Sequence, residues 1–381
     1  MRILHVITTL DVGGAEMHVL AQTRGQAGRG HQVRIAYLKG AGTLAPDFLE
    51  AGAESVVPVG SGPLAPARLF PHLRWAEIVH THLLKADMLG ALGALVAGRR
   101  GGLIASKHND EAALRRPWFG RIHGWLGALP RRTIVLSDHV GRFIAEHGRV
   151  PLARQTRIYY GLDPAPFESA SRMSASERGA ARAEFGFGDR DVVFICVARF
   201  AAQKAHDVLL AGFERARARR LPQDPTLRLL LVGDDPFGDG RARAEALAAI
   251  LSLGGDVHFA GVRRDVPRLV GAADVFVMTS LWEGLGLVFL ESMAASRPIL
   301  ATAVSAVPEV VQDGESGLLV PPRETEPLAE AMLRLARDPG LRERLGRAGH
   351  QRVIERFALA RMIEETLAVY REYGLGRGRP G

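Results

Sequence analysis

Two glutamates, two cations and a glycine pair are the residues of this sequence with the clearest chemical use. The run Glu283-Gly284-Leu285-Gly286-Leu287-Val288-Phe289-Leu290-Glu291 follows the apolar segment DVFVMT and opens a predicted helix reaching about Ser296. Glycines at a strand-to-helix turn let backbone amides approach a ligand, and the helix start favours negative charge. Each carboxylate can accept hydrogen bonds from sugar hydroxyls. Eight helical residues span about 12 Å, beyond the roughly 5–9.5 Å that paired-carboxylate glycosidases use, so two separate binding roles fit better than a hydrolytic pair. A tight turn with two solvated glutamates is the alternative. Arg199 and Lys204, in ARFAAQKAHD, come just after the apolar run DVVFICVA. Two fixed cations there can stabilise a departing diphosphate without a metal ion, or stand as a solvated surface pair.

Gly13 and Gly14 follow the first apolar run, but TLDVGGAEMH does not match G-x-G-x-x-G, so a dinucleotide cofactor is not expected. His108, in SKHND, also follows an apolar run and is expected to face a cleft. His80 and His82, in VHTH, occupy a similar position and dilute the case for any single histidine. Asp234 and Asp235 are adjacent with no third ligand nearby, so helix capping or turn formation is expected there and no metal site.

The elements that must position these residues alternate short β-branched runs with helical patterns, the rhythm of parallel α/β domains. The first half offers RILHVIT, QVRIAYL, SVVPV, EIVHTH, GLIAS, TIVLS and TRIYY, with helices such as Ala15–Gln26 and Lys85–Ala97 between them. The second offers DVVFICVA, LRLLLVG, DVHFAGV, DVFVMT, RPILAT and GLLVPP. Gly161–Ser176, with Pro164 and Pro166, reads as a linker. Charged amphipathic helices run from about Pro327 to Tyr373, and GLGRGRPG reads as a frayed tail. The expected fold class is α/β, two Rossmann-like domains facing across a cleft. Residues 1–165 and 166–356 form the domains, and 357–381 a helix and tail, the helix packing back on the N-terminal domain.

The 381 residues are 47% hydrophobic and 24% charged, ordinary for a globular protein. The single cysteine, Cys196, excludes an intramolecular disulfide and a multi-thiolate zinc site, and reads as a buried structural thiol. The longest apolar stretch, Met88–Gly98, has 11 residues where about 20 are needed to span a bilayer, and no signal segment is visible. A cytoplasmic protein is expected. The net charge is +8, and residues 99–157 carry 12 Lys and Arg against 4 Asp and Glu, favouring anionic partners. Within that region Leu114–Arg132 sets Trp118, Ile122, Trp125 and Leu129 at helical spacing between arginine pairs. That composition suits a helix in a membrane interface on the inner face, or one packing its apolar side on a sheet.

Taken together, these residues resemble the family-four retaining glycosyltransferases of the GT-B fold, also called glycosyltransferase group 1. The likeness rests on Gly13-Gly14, on His108 and on the R-x4-K pair Arg199 and Lys204. It also rests on the E-x7-E pair Glu283 and Glu291 within TSLWEGLGLVFLES, on YGLD at Tyr160–Asp163, and on VPEVVQDGESGLLVPP. The resemblance implies an acceptor-binding N-terminal domain and a C-terminal domain that binds a UDP- or GDP-linked sugar. It implies that Arg199 and Lys204 hold the diphosphate, Glu283 meets the sugar hydroxyls and Glu291 the ribose. Gly13 and Gly14 would also contact the donor, with Gly284, Leu285, Gly286 and Leu287 lining its sugar and phosphate, and His108 near the anomeric carbon. His108, Glu283, Arg199 and Lys204 carry the catalytic role in this reading. It implies retention of anomeric configuration, no cofactor and no metal, a sugar or lipid-linked acceptor in cell-surface polysaccharide or glycolipid synthesis, and no nucleic acid. Ala205 stands where the family usually has glycine, and Ser305-Ala306 where a glycine pair is common; both are expected to reshape their loops. A nucleotide-sugar epimerase or phosphorylase, a basic nucleic-acid-binding protein and a non-catalytic sugar-nucleotide binder are the alternatives.

Overall fold

The computed structural model describes residues 1–235 and 238–374, so all but the first residue of the expected tail lies outside the described residues. Two compact units divide the chain, Met1–Gly161 joined by the segment from Leu359 onward, and Leu162–Ala358.

The first unit is built on seven strands: β1 (Arg2–Ile7), β2 (Gln32–Tyr37), β3 (Ala53–Pro58), β4 (Ile78–His82), β5 (Leu103–Lys107), β6 (Arg132–Val135) and β7 (Gln155–Arg157). All pair in parallel in the order β3-β2-β1-β4-β5-β6-β7. The sheet is covered on both faces, so its central strands β4 and β5 are buried throughout, polar residues included. Alternation along each strand then assigns side chains to faces. Leu4, Val79 and Leu103 join a cluster with Leu69, Leu73 and Ala91, from the helices Ala65–Trp75 and Leu84–Val96. Ile3, Ile78, Ile104 and Ile134 point the other way, onto Met362, Ile363 and Leu367 of the helix Leu359–Val369 and onto Tyr370 just after it.

The second unit has six parallel strands: β8 (Val192–Val197), β9 (Leu227–Val232), β10 (Val257–Gly261), β11 (Val275–Met278), β12 (Ile299–Thr302) and β13 (Gly317–Val320), in the order β10-β9-β8-β11-β12-β13. Cys196 lies buried in β8, where desolvation pushes its thiol up to about 12, so it is a packing residue.

Three local expectations change. The presumed linker carries a helix, Ala165–Ser171, whose Phe167 is buried within the second unit. Its prolines lie at the helix start, where no amide is needed, so they initiate a helix there. The segment Leu114–Arg132 is helical only over Pro117–Leu126, which leaves Leu129 beyond the helix and buried. Its wide apolar side does not pack on the sheet: Trp118, Ile122 and Trp125 are 58%, 44% and 65% exposed, while Gly120, His123 and Leu126 form the buried face. A Cβ on Gly120 would come within 2.4 Å of the His147 carbonyl, and one on Gly124 within 2.8 Å of Arg149. Those glycines let the narrow face approach the backbone and turn the tryptophans outward.

Candidate active site

In open parallel sheets the chain reverses direction at a switch point, and the loops leaving the strands there form a crevice for ligands. The second sheet switches between β8 and β11, and the loops after these two strands carry Arg199, Lys204 and Glu283. Lys204 Nζ lies 2.5 Å from Glu283 Oε1, which also accepts from the Ser280 hydroxyl at 2.6 Å. Both partners are largely removed from solvent. The two loops are tied by their backbones. The Leu281 amide donates to the Gln203 carbonyl at 2.8 Å, and the Gln203 side chain donates to the Trp282 carbonyl at 2.6 Å. The Thr279 hydroxyl reaches the Lys204 and Ala205 carbonyls at 3.2 and 2.9 Å. Arg199, by contrast, is exposed, and its guanidinium meets no acceptor among the described residues.

Glycine's usual place after the lysine is taken by Ala205 in a left-handed conformation, φ 46° and ψ 52°. The Thr279 hydroxyl braces that turn, so the loop keeps a glycine-like path at a cost of about 1–2 kcal/mol in backbone strain. Ser305 likewise has φ 48°. Gly286 has no such substitute. Its φ is 81°, and a Cβ there would lie 2.5 Å from the Phe289 ring. It caps the helix Leu287–Ala294, whose first amides have no carbonyl one turn earlier to bind.

Glu291 projects from this helix. It keeps a partly open edge, yet protein crowds it on the remaining sides, and desolvation pushes its carboxyl up to about 7. No hydrogen-bond donor among the described residues meets that carboxyl. A desolvated, partnerless carboxyl is a costly arrangement that a ligand with hydroxyl donors would relieve. Asp235, in contrast, accepts from the amides of Gly240 and Arg241 at 3.3 and 3.0 Å, a capping role at the start of the helix Gly240–Ile250.

In the first unit the switch lies between β1 and β4, with Gly13 and Gly14 following β1. They open the helix Gly14–Ala27, and the buried Glu16 folds back over them. Glu16 Oε1 accepts from Thr9 at 2.5 Å, and a Cβ on Gly13 would lie 2.5 Å from Oε2. That carboxylate takes part of the space an anion would use at the helix start, whereas Gly14 is open. His108, just past β5, is buried, and both of its ring nitrogens are used within the unit: Nδ1 by the Tyr160 hydroxyl at 2.8 Å and Nε2 by His82 at 3.0 Å.

Sequence reasoning missed what lies behind His108. His5, His80, His82, Ser106 and His108 occupy alternate positions on β1, β4 and β5 and its end, on the face of Ile3, Ile78 and Ile104. The register puts His5 beside His80, and His82 beside Ser106. Among the described residues, His5, His80 and His82 are the one group whose nitrogens, within 4.8 Å of one another, could share a metal ion. All six of those nitrogens already make hydrogen bonds, to one another and to Gln26, Tyr370, Ser106 and His108. The arrangement is a hydrogen-bond network with no lone pair left for an ion.

The chain is similar to known proteins along most of its length. The family described as glycosyl transferases group 1 matches residues 177–352, and glycosyltransferase family 4 matches residues 12–166. A D-inositol 3-phosphate glycosyltransferase of Actinosynnema mirum is 30% identical over 95% of this chain and 93% of its own. One from Streptomyces bingchenggensis is 29% identical over 97% and 87%. The crystal structure of Anabaena HepE in complex with UDP and glucose superposes with a TM-score of 0.86 at 20% identity, covering 98% of this chain and 100% of that one. With both halves matched in order, and a relative 30% identical over nearly the whole chain, the chain belongs to the group 1, family-four glycosyltransferases, with the GT-B fold.

Proposed function

We propose that the chain transfers a sugar, with retention of configuration, from a UDP- or GDP-linked donor to a sugar or lipid-linked acceptor. The observation that carries this reading is Glu291, a desolvated carboxyl with no donor among the described residues, on the helix that follows Glu283 of the Lys204–Glu283 pair, with Arg199 unpaired among those residues as well. A nucleoside diphosphate sugar offers ribose hydroxyls to Glu291, phosphate oxygens to Arg199 and Lys204, and sugar hydroxyls to Glu283. The UDP complex of the similar HepE structure supports a uridine donor.

In the reaction the acceptor hydroxyl oxygen bonds to the anomeric carbon on the face from which the diphosphate leaves. The bond from that carbon to the β-phosphate oxygen breaks. The acceptor's proton passes to the departing phosphate oxygen, and Arg199 and Lys204 stabilise the charge that develops there. Glu283, held by Lys204 and Ser280, keeps its oxygens oriented toward the sugar. The amides of Leu285, Gly286 and Leu287 add donors at the helix start. Calorimetry of UDP, GDP and ADP with EDTA present, on the wild type and on Glu291→Ala, tests the donor site. Tight binding of one nucleotide, weakened in the variant, is expected; no binding of any of the three would overturn the reading. The anomeric coupling constant in the product's proton NMR spectrum tests retention.

No described helix is long and apolar enough to cross a membrane. The helix Pro117–Leu126 nonetheless turns Trp118, Ile122 and Trp125 to solvent. Exposed Arg115, Arg116, Arg121 and Arg131 surround them, and no acidic residue lies between Glu111 and Asp138. Tryptophans rimmed by cations suit the head-group region of an anionic bilayer, and a lipid-linked acceptor would then be met at its surface. Co-sedimentation with phosphatidylglycerol vesicles at low salt is expected, reduced in Trp118→Ala/Trp125→Ala. Absence of wild-type binding would exclude the membrane role.

A further inference from the structure

The hydrogen bonds behind His108 form one continuous chain inside the first unit. Tyr160 Oη is 2.8 Å from His108 Nδ1, and His108 Nε2 is 3.0 Å from His82 Nδ1. His82 Nε2 is 2.9 Å from His5 Nδ1, and His5 Nε2 is 2.9 Å from Gln26 Oε1. A neutral imidazole has one N–H and one lone pair, so each ring must donate on one side and accept on the other. The rings therefore share one direction, and whatever fixes the last link fixes them all.

That last link is Gln26. Its amide nitrogen faces Gln22 Oε1 and the Tyr370 hydroxyl oxygen, each at 3.4 Å, which leaves Oε1 toward His5. His5 then donates from Nε2, His82 donates to His5, His108 donates to His82, and Tyr160 donates to His108. A branch obeys the same rule. Tyr370 accepts from Gln26 and donates to His80 Nδ1 at 2.6 Å, and His80 Nε2 donates to Ser106 at 2.7 Å. Gln22 donates to His18 Nε2 at 2.7 Å, so His18 carries its hydrogen on Nδ1, the one ring nitrogen here without a partner. Reversing every bond is the alternative direction. It would leave the Tyr160 hydroxyl hydrogen without an acceptor in the chain but give the Ser106 hydroxyl one in His80 Nε2, so the count is even and the amide orientation of Gln26 sets the direction.

We propose that Gln26, His5 and His82 are positioning residues for glycosyl transfer: they lock His108 as a neutral ring with its hydrogen on Nε2, pointing away from Tyr160. The locked ring has no free nitrogen with which to take the acceptor's proton, which leaves proton transfer to the departing phosphate. Aligned hydrogen bonds reinforce one another, so the electron-rich end of the chain is the Tyr160 oxygen. A neutral, electron-rich group suits the neighbourhood of a sugar carbon that gains positive charge, where an imidazolium would repel it. Burial acts in the same sense, lowering His5 and His108 to about 4 and His80, His82 and His18 well below the usual histidine range. This inference rests on the reading above that places His108 near the reacting carbon.

The test is long-range 15N–1H NMR of histidine-labelled wild-type protein between pH 5.5 and 8, paired with assays of sugar transfer. His108, His82 and His5 are expected as Nε2–H tautomers that do not titrate across this range. In Gln26→Met the terminal acceptor is gone. The His108 signal should then shift toward the Nδ1–H form, and kcat should fall on the order of tenfold with the donor KM unchanged. A wild-type His108 that is Nδ1–H or imidazolium at pH 7 overturns the proposal, as does an unchanged tautomer in folded Gln26→Met. Stoichiometric metal in the purified protein overturns it too, because a ligated imidazole gives up a hydrogen-bonded nitrogen. If the tautomers are as expected and no sugar is transferred from any nucleotide donor, the functional reading fails and the lock stands. Transfer with the wrong tautomer sinks the lock alone.

Discussion

The two units treat the polar groups near their switch points differently, although the first also buries an ion pair, Lys107 with Asp87. Beneath His108 the first unit buries histidines as neutral rings, each satisfied by a neighbour on the same sheet face. At its switch point the second unit keeps charge: Lys204 against Glu283, an unpaired Arg199, and a Glu291 carboxyl that burial has lifted to about 7. The first arrangement is complete without a ligand. The second leaves two charges wanting partners, and it is where an anionic donor would change most.

The largest break of that contrast is Lys204→Ala. Removing a cation aimed at developing phosphate charge should lower kcat by about 10²–10³-fold, read as the rate of nucleotide release. It should also destabilise the chain, by about 2–4 kcal/mol in urea unfolding, because Glu283 is left buried and unpaired. Glu283→Gln in the same chain should recover part of that stability and none of the rate.

Glu291 gives the next effect. The carboxylate accepts hydroxyl hydrogen bonds more strongly than the neutral acid, so nucleotide affinity should rise about three- to tenfold from pH 6 to pH 8, and Glu291→Gln should abolish this rise. The sign for stability is opposite. The folded pKa lies above the ordinary 4.5, so the native state holds the proton more tightly. Stability conferred by this group is therefore full below 4.5 and falls as pH rises through about 7. Glu291→Gln should be more stable than wild type at pH 8 by about 1–3 kcal/mol, measured without nucleotide. Loss of stability at pH 8 would mean the carboxylate already has a partner.

The smallest effect sharpens the comparison within the second unit. Ala205→Gly relieves a left-handed alanine but loosens the unfolded chain, so a net gain of only about 0.5–1 kcal/mol is expected, with kcat unchanged. A fall in kcat would show that the methyl group itself shapes the phosphate loop.

Much of this was legible in the sequence because strand ends and their loops are local. ARFAAQK and WEGLGL follow β-branched runs, and the parallel fold brings those two loops to one switch point. The histidine network was not legible, because its histidines are spread over three separate runs of the sequence. Only the pairing of β1 with β4, and β4 with β5, reveals that alternate positions on three strands make one polar row. A residue pattern of Ile3-His5-Ile7 against Ile78-His80-His82 was the available signal. The orientation of Pro117–Leu126 was hidden for a different reason. Periodicity separates Trp118, Ile122 and Trp125 from Gly120, His123 and Leu126, but it does not say which side is inside. Close approach at Gly120 and the hydrogen bonds of His123 to Lys107 and the Gly148 carbonyl decide that.

The helix Leu359–Val369 has a consequence for synthesis. Met362, Ile363 and Leu367 complete one face of the first sheet, and Tyr370 joins His80 and Gln26. The unit that begins the chain therefore cannot finish folding until the last helix has left the ribosome, while Leu162–Ala358 is contiguous and can fold as it emerges. Domains usually mature in the order they are made. Here the second unit is complete first, and the nascent first unit waits with an apolar sheet face uncovered, which is the interval in which a chaperone would be needed.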